Sequence, residues 1–156
     1  MIRIDIPGRG RLDLEYLVMD FNGTLAVDGL LIAGIREKLT LVSERIKMHV
    51  LTADTFGTAR AELEGLNLSG SLVEHDNQDT GKAEYIARLN ETKVVSIGNG
   101  RNDSLMLKNA ALGIAVLEGE GASFKAIQQA DIICKSVHDA LDLLLNPQRI
   151  VATLRN

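Results

Sequence analysis

Apolar and polar positions fall in alternating blocks along the chain. Short, nearly continuous apolar runs are followed by stretches in which apolar residues recur at helical spacing. The runs Tyr16 to Asp20, Lys47 to Thr52, Ser71 to Glu74, Val94 to Ile97, Gly113 to Val116 and Asp131 to Cys134 predict strands buried on both sides. Helices are predicted over Ile35 to Ser43, Thr58 to Leu63, Gly81 to Leu89, Asp103 to Asn109, Ala122 to Gln128 and Ser136 to Leu145. Thr80 and Ser136 are candidate caps, and Pro147 is placed to open a last short helix. Alternation of strand and helix predicts an α/β doubly wound domain, with a mainly parallel sheet between two helical layers.

Two further patterns modify that core. Ile2-Arg3-Ile4-Asp5-Ile6 alternates strictly and runs into Pro7-Gly8-Arg9-Gly10, which predicts a strand and turn added at the sheet edge. Ala26-Val27-Asp28-Gly29-Leu30-Leu31 has apolar residues around Asp-Gly, the signal of a hairpin, here a small flap over the end of the first core strand.

Composition narrows the class. The 156 residues are 46% hydrophobic and 24% charged, and one domain over residues 1–156 is the expected organisation. With 3% aromatics and no Trp, aliphatic side chains must fill the core. The 17 basic residues form no stripe and the net charge is −4, which argues against nucleic acid as a partner. Membrane-length apolar runs and a signal-peptide core are missing, so a cytoplasmic protein with no membrane partner is expected. Cys134 has no partner for an internal disulfide, and its apolar setting reads as a buried strand position. His49, His75 and His138 fall on unrelated elements and form no ligand constellation.

Chemistry gathers where open α/β sheets bind their ligands, just beyond the strand ends. Asp20 and Asn22 follow the first core strand, Thr52 the second, Lys82 lies at a helix start, and Asn99, Asn102 and Asp103 follow the fourth. Two carboxylates, a hydroxyl and an ammonium can bind a divalent cation and a phosphoryl group together.

These four sites in order resemble the motifs of the haloacid dehalogenase superfamily, with its three-layer Rossmann-like core. Asp20-Phe21-Asn22-Gly23-Thr24-Leu25, Gly98-Asn99-Gly100-Arg101-Asn102-Asp103, and Gly113 to Val116 through Ala130 to Ile133 resemble more narrowly the phosphorylation domain of P-type ATPases and small soluble proteins like it. The resemblance implies a phosphohydrolase in which Asp20 attacks phosphorus and becomes an aspartyl-phosphate. It further implies that Asp20, the main-chain carbonyl of Asn22 and Asp103 bind Mg²⁺ with Asn99 beside them. Thr52, Ala53, Lys82 and Asn102 are then the phosphate contacts, and the partner is a phosphorylated small molecule or nucleotide.

Asn22 stands where the phosphatases of the superfamily carry the Asp that protonates the leaving group and later activates water. An amide cannot transfer that proton, and losing a general acid and base typically removes ~10²–10⁴-fold in rate. Activated phosphates and a lingering phosphoenzyme are therefore expected. Asn99 replaces the first Asp of the last motif, which predicts weaker metal affinity. Both asparagines precede glycine, the context in which deamidation is fastest. The 32 positions from Asp20 to Thr52 and the 30 from Thr52 to Lys82 leave no room for a cap domain. An open site is expected; capless relatives shield theirs by oligomerising or accept large substrates, so a homo-oligomer is one of two expectations here. The alternatives are a soluble ATPase-like phosphotransfer protein and a phosphate-binding regulatory module with little turnover.

Overall fold

The computed structural model describes residues 1–53, 57–72 and 77–156. The chain opens with an antiparallel hairpin, β1 (Ile2–Ile6) and β2 (Gly10–Leu14). Strand β3 (Tyr16–Asp20) leads through a tight turn into the flap hairpin, β4 (Ala26–Val27) and β5 (Leu30–Leu31). Then come α1 (Ile35–Ser43), β6 (Lys47–Thr52), α2 (Thr58–Glu62), β7 (Ser69–Leu72) and α3 (Gln78–Arg88). Strand β8 (Val94–Gly98) is followed by a short 3₁₀ turn, Arg101–Asp103, which runs directly into α4 (Ser104–Asn109). The chain closes with β9 (Leu112–Val116), α5 (Phe124–Gln129), β10 (Ile132–Cys134), α6 (Val137–Leu145) and α7 (Gln148–Leu154).

Six strands pair in parallel in the order β10-β9-β8-β3-β6-β7. The chain adds β6 and β7 on one side of β3 and then returns to place β8 on the other, so the β3–β8 boundary is the switch point where such sheets bind ligands. Strand alternation explains why the apolar runs are continuous. Leu17 and Met19 of β3, Val95 and Ile97 of β8, and Leu112, Ile114 and Val116 of β9 pack on one face with α1, α6 and α7. Val18, Leu51 and Val94 point the other way, against Ile86 of α3 and Met106 of α4. Both faces are buried, so neither needs a polar residue.

Three expectations change. The N-terminal hairpin does not extend the sheet edge; it forms a separate two-stranded sheet. Its strict alternation makes one apolar face, and Ile2, Ile4 and Ile6 bury that face in the α1–α6–α7 core layer. Helix α3 starts at Gln78 rather than Gly81: Asn77 precedes it at φ 61° with no side-chain capping bond, Thr80 lies in its first turn, and the Asp79 carboxylate accepts from the Thr80 N–H. Strand β7 runs from Ser69 to Leu72, and the rest of the predicted Ser71 to Glu74 run lies outside the described residues, as does His75. The flap is as expected, with Asp28 and Gly29 at φ 52° and 78°, the paired positive values of a tight hairpin turn. Ser136 caps α6 by accepting from the Asp139 N–H, and Pro147 precedes α7.

Candidate active site

The turn after β3 is built around one carbonyl. Phe21 O accepts from the N–H groups of Leu25 and Ala26 at 2.9 and 3.0 Å, and the Gly23 N–H donates to Ala26 O at 2.7 Å. Gly23 has φ 78°, and a Cβ there would stand 2.3 Å from Asn99 Nδ2, so only glycine permits this approach. The turn leaves Asp20 buried at the C-terminal edge of the sheet, with Asn22 exposed beyond it.

Lys82 reaches Asp20 from α3. Its side chain is 1% exposed, and the ammonium donates to Asp20 Oδ1 at 2.5 Å and to Asp103 Oδ1 at 2.7 Å. Asp103, fully buried, spends its other oxygen on the N–H groups of Asn99 and Gly100, at 2.9 and 2.8 Å. That fold-back depends on Gly98, where a Cβ would stand 2.6 Å from Asp103 Cγ. One ammonium therefore serves two buried carboxylates. Burial, with the charge of Asp103 added, raises Asp20 to about 7 against the opposing pull of Lys82. Burial alone would lower Lys82, but Asp20 and Asp103 outweigh it and its pKa is raised.

The remaining candidates surround this cluster unevenly. Thr52 ends β6, one position beyond Leu51, which pairs with Asp20; Thr52 and Ala53 are half-buried. Asn102 donates from Nδ2 to Gln78 Oε1 at 2.6 Å, tying the 3₁₀ turn to the start of α3. Asn99 lies behind the Asp20 turn, its Nδ2 donating to Gly121 O at 2.8 Å and its Oδ1 accepting from Thr24 at 3.4 Å. Thr24 and the 117–121 loop were not singled out from the sequence, where Thr24 stands only as the last residue of Asp-x-x-Gly-Thr. His49 bonds to the Tyr85 hydroxyl at 2.8 Å and His138 to Ala33 O at 3.0 Å, away from Asp20. Cys134 is buried in β10, and burial, with Asp139 nearby, pushes its thiol up to about 11.

A model of the haloacid dehalogenase-like hydrolases matches residues 77–141, which carry Lys82 and the Gly98 to Asp103 stretch. The chain belongs to this family. An uncharacterised protein of Methanocaldococcus jannaschii is 56% identical over 64 residues, covering 41% of this chain and 69% of its own. A copper-transporting ATPase of Rhizobium meliloti is 35% identical over 116 residues, which is 71% of this chain but 13% of the ATPase. Among solved structures, the 3-deoxy-D-manno-octulosonate 8-phosphate phosphatase of Moraxella catarrhalis, in complex with magnesium, phosphate and the sugar, superposes with a TM-score of 0.72 at 15% identity. It covers 89% of this chain and 90% of the phosphatase. A cobalt-bound phosphatase of the same kind from Haemophilus influenzae gives 0.72 at 12% identity, over 92% and 94% of the two chains. At such identities these two structures establish the shared haloacid dehalogenase fold. No helix among the described residues is long and apolar enough to cross a membrane.

A hard divalent cation fits the donor set. Two buried carboxylates share one ammonium; burial, with the charge of Asp103 added, raises Asp20, and a cation would offset both effects.

Proposed function

We propose that this chain is a Mg²⁺-dependent phosphohydrolase in which Asp20 is the nucleophile. The observation that carries the reading is the Lys82 ammonium held between Asp20 and Asp103 at the sheet switch point. Asp20, Asp103 and the main-chain carbonyl of Asn22 would hold the cation, which supplies charge neutralisation for Asp20 and for the phosphoryl oxygens. Lys82 keeps Asp20 oriented and adds a fixed positive charge where negative charge develops. Thr52, Ala53 and Asn102 frame the phosphoryl group.

In the first step an Asp20 carboxylate oxygen bonds to phosphorus as the bond to the leaving oxygen breaks, and that oxygen departs as an anion. In the second, water attacks phosphorus, the Asp20–phosphorus bond breaks, phosphate leaves and the water proton passes to solvent. Asn22 has no proton to exchange in either step. Leaving groups stable as anions, such as a nucleoside diphosphate, an acyl group or nitrophenolate, are therefore favoured, and the second step is slow. The substrate is a phosphorylated small molecule or a nucleotide, and a homo-oligomer shields the capless site, in a single domain working in the cytoplasm. A second reading, in which the phosphoenzyme is itself the functional state, draws support from the likeness to copper-transporting ATPases.

Rapid mixing with nitrophenyl phosphate and Mg²⁺ tests the proposal. A burst of nitrophenolate close to one per active site, an acid-stable phosphate on the protein, and loss of both in Asp20→Asn are expected. Turnover that survives Asp20→Asn would exclude it.

A further inference from the structure

Asn99 follows β8, is buried, and engages every polar group it carries. Its N–H donates to Asp103 Oδ2 at 2.9 Å and its carbonyl accepts from the Ser123 N–H at 2.8 Å. Its side-chain Nδ2 donates to Gly121 O at 2.8 Å, and its Oδ1 accepts from the buried Thr24 hydroxyl at 3.4 Å. Beside Gly121, the Glu120 carboxylate accepts from the Asp28 N–H of the flap at 2.9 Å. A Cβ on Gly119 would stand 3.1 Å from Val27 Cγ1, so the loop after β9 lies directly against β4. One carboxamide and one carboxylate thus join the Asp20 turn, the flap and the 117–123 loop.

An aspartate at this position would keep the two main-chain bonds and could accept from Thr24. It has no N–H for Gly121 O, so two acceptors would face each other in a buried site. It would also place a third carboxylate beside a cluster that has one ammonium. We propose that Asn99 is a positioning residue whose carboxamide locks the Asp20 turn and, through Gly121 and Glu120, the flap against the loop after β9. The amide is therefore a functional gain in geometry, which an acidic side chain cannot supply. This inference rests on the proposed function only for its effect on turnover, because the tether itself is a property of the metal-free protein.

Amide hydrogen exchange on EDTA-treated protein tests it directly. In Asn99→Asp, exchange at Leu25, Ala26, Gly121 and Ser123 should accelerate about tenfold or more, beyond the change at Leu144 of α6, which reports global stability. Glu120→Ala should accelerate only residues 28–31 of the flap. Exchange within about twofold of wild type at Leu25 and Gly121, after the same correction, overturns the tether. Should Asn99→Asp fail to fold, Thr24→Val removes the hydroxyl at nearly constant volume, and protection at Leu25 and Ala26 gives the same decision. Phosphoenzyme formation should slow about tenfold in whichever variant folds, and an unchanged rate also counts against the positioning role. If the wild type forms no phosphoenzyme, the proposed function fails and the exchange data still decide the tether.

Discussion

Replacing Lys82 by methionine would isolate the electrostatics of the site from its shape. The side chain is 1% exposed and its ammonium makes two charge-assisted bonds, at 2.5 and 2.7 Å. Methionine fills most of the volume, so the change is chiefly loss of the cation between two buried carboxylates. Breaking a buried ion pair by removing one partner costs about 3–5 kcal/mol. That figure holds only while Asp20 is ionised. Asp20 already has its pKa raised to about 7 by burial and Asp103, and without Lys82 it would rise further. A carboxyl whose folded pKa lies above its unfolded value of about 3.9 contributes stability at low pH, lost as pH rises through the folded pKa. Lys82→Met should therefore lose about 3–5 kcal/mol relative to wild type at pH 8 and less than about half of that at pH 5. Urea denaturation of both proteins in EDTA at the two pH values measures this. Equal losses at pH 5 and pH 8 would refute the view that Lys82 chiefly neutralises the pair.

Other consequences are simpler to read. Asn22→Asp should raise steady-state hydrolysis of alkyl phosphates by ~10²–10⁴-fold and remove the burst, as a stopped-flow assay would show. Gly98→Ala should destabilise the protein by about 2–4 kcal/mol in thermal unfolding, because its Cβ would collide with the Asp103 carboxyl, a buried group with no space to retreat. His49 has its pKa lowered by burial and by Lys47, so the stability it lends is present above about pH 6.5 and lost as pH falls below that value. His49→Gln should therefore flatten the pH dependence of melting between about pH 5 and 7. Cys134, with its thiol pushed up to about 11, should react with a thiol reagent at pH 8 far more slowly in the native protein than in urea.

Legibility in the sequence follows the range of the interaction. Strands β3 and β6 and helix α1 begin and end where the apolar pattern places them, because two-sided burial imposes continuous apolar runs and one-sided burial imposes helical spacing. The flap was readable from Asp28-Gly29, whose turn chemistry is local. The start of α3 was not, because the chain enters it through Asn77 in a left-handed conformation, which apolar periodicity does not report. Nor was the place of the N-terminal hairpin: alternation shows that Ile2, Ile4 and Ile6 share a face, but what covers that face is a tertiary outcome. Asp20, Lys82 and Asp103 could be gathered from the sequence because strand ends in a parallel sheet meet at one edge. The shared ammonium, and the Asn99 bridge from Thr24 to Gly121, are contacts between residues distant in sequence and carry no local pattern.

The two asparagines that break the acidic pattern are therefore unlike in physical meaning. Asn22 is exposed at the mouth of the site, and among the described residues its side chain makes no hydrogen bond, so a carboxylate there adds chemistry without disturbing packing. Asn99 is wired at both ends of its amide and pressed against Gly23, so a carboxylate there removes a donor the fold uses. Restoring the acidic residue at both positions should consequently fail as a route to an efficient phosphatase, whereas restoring it at position 22 alone should succeed. The double variant is the sharper comparison. If it hydrolyses alkyl phosphates as fast as Asn22→Asp and melts at the same temperature, the amide of Asn99 is dispensable and the distinction between the two positions collapses.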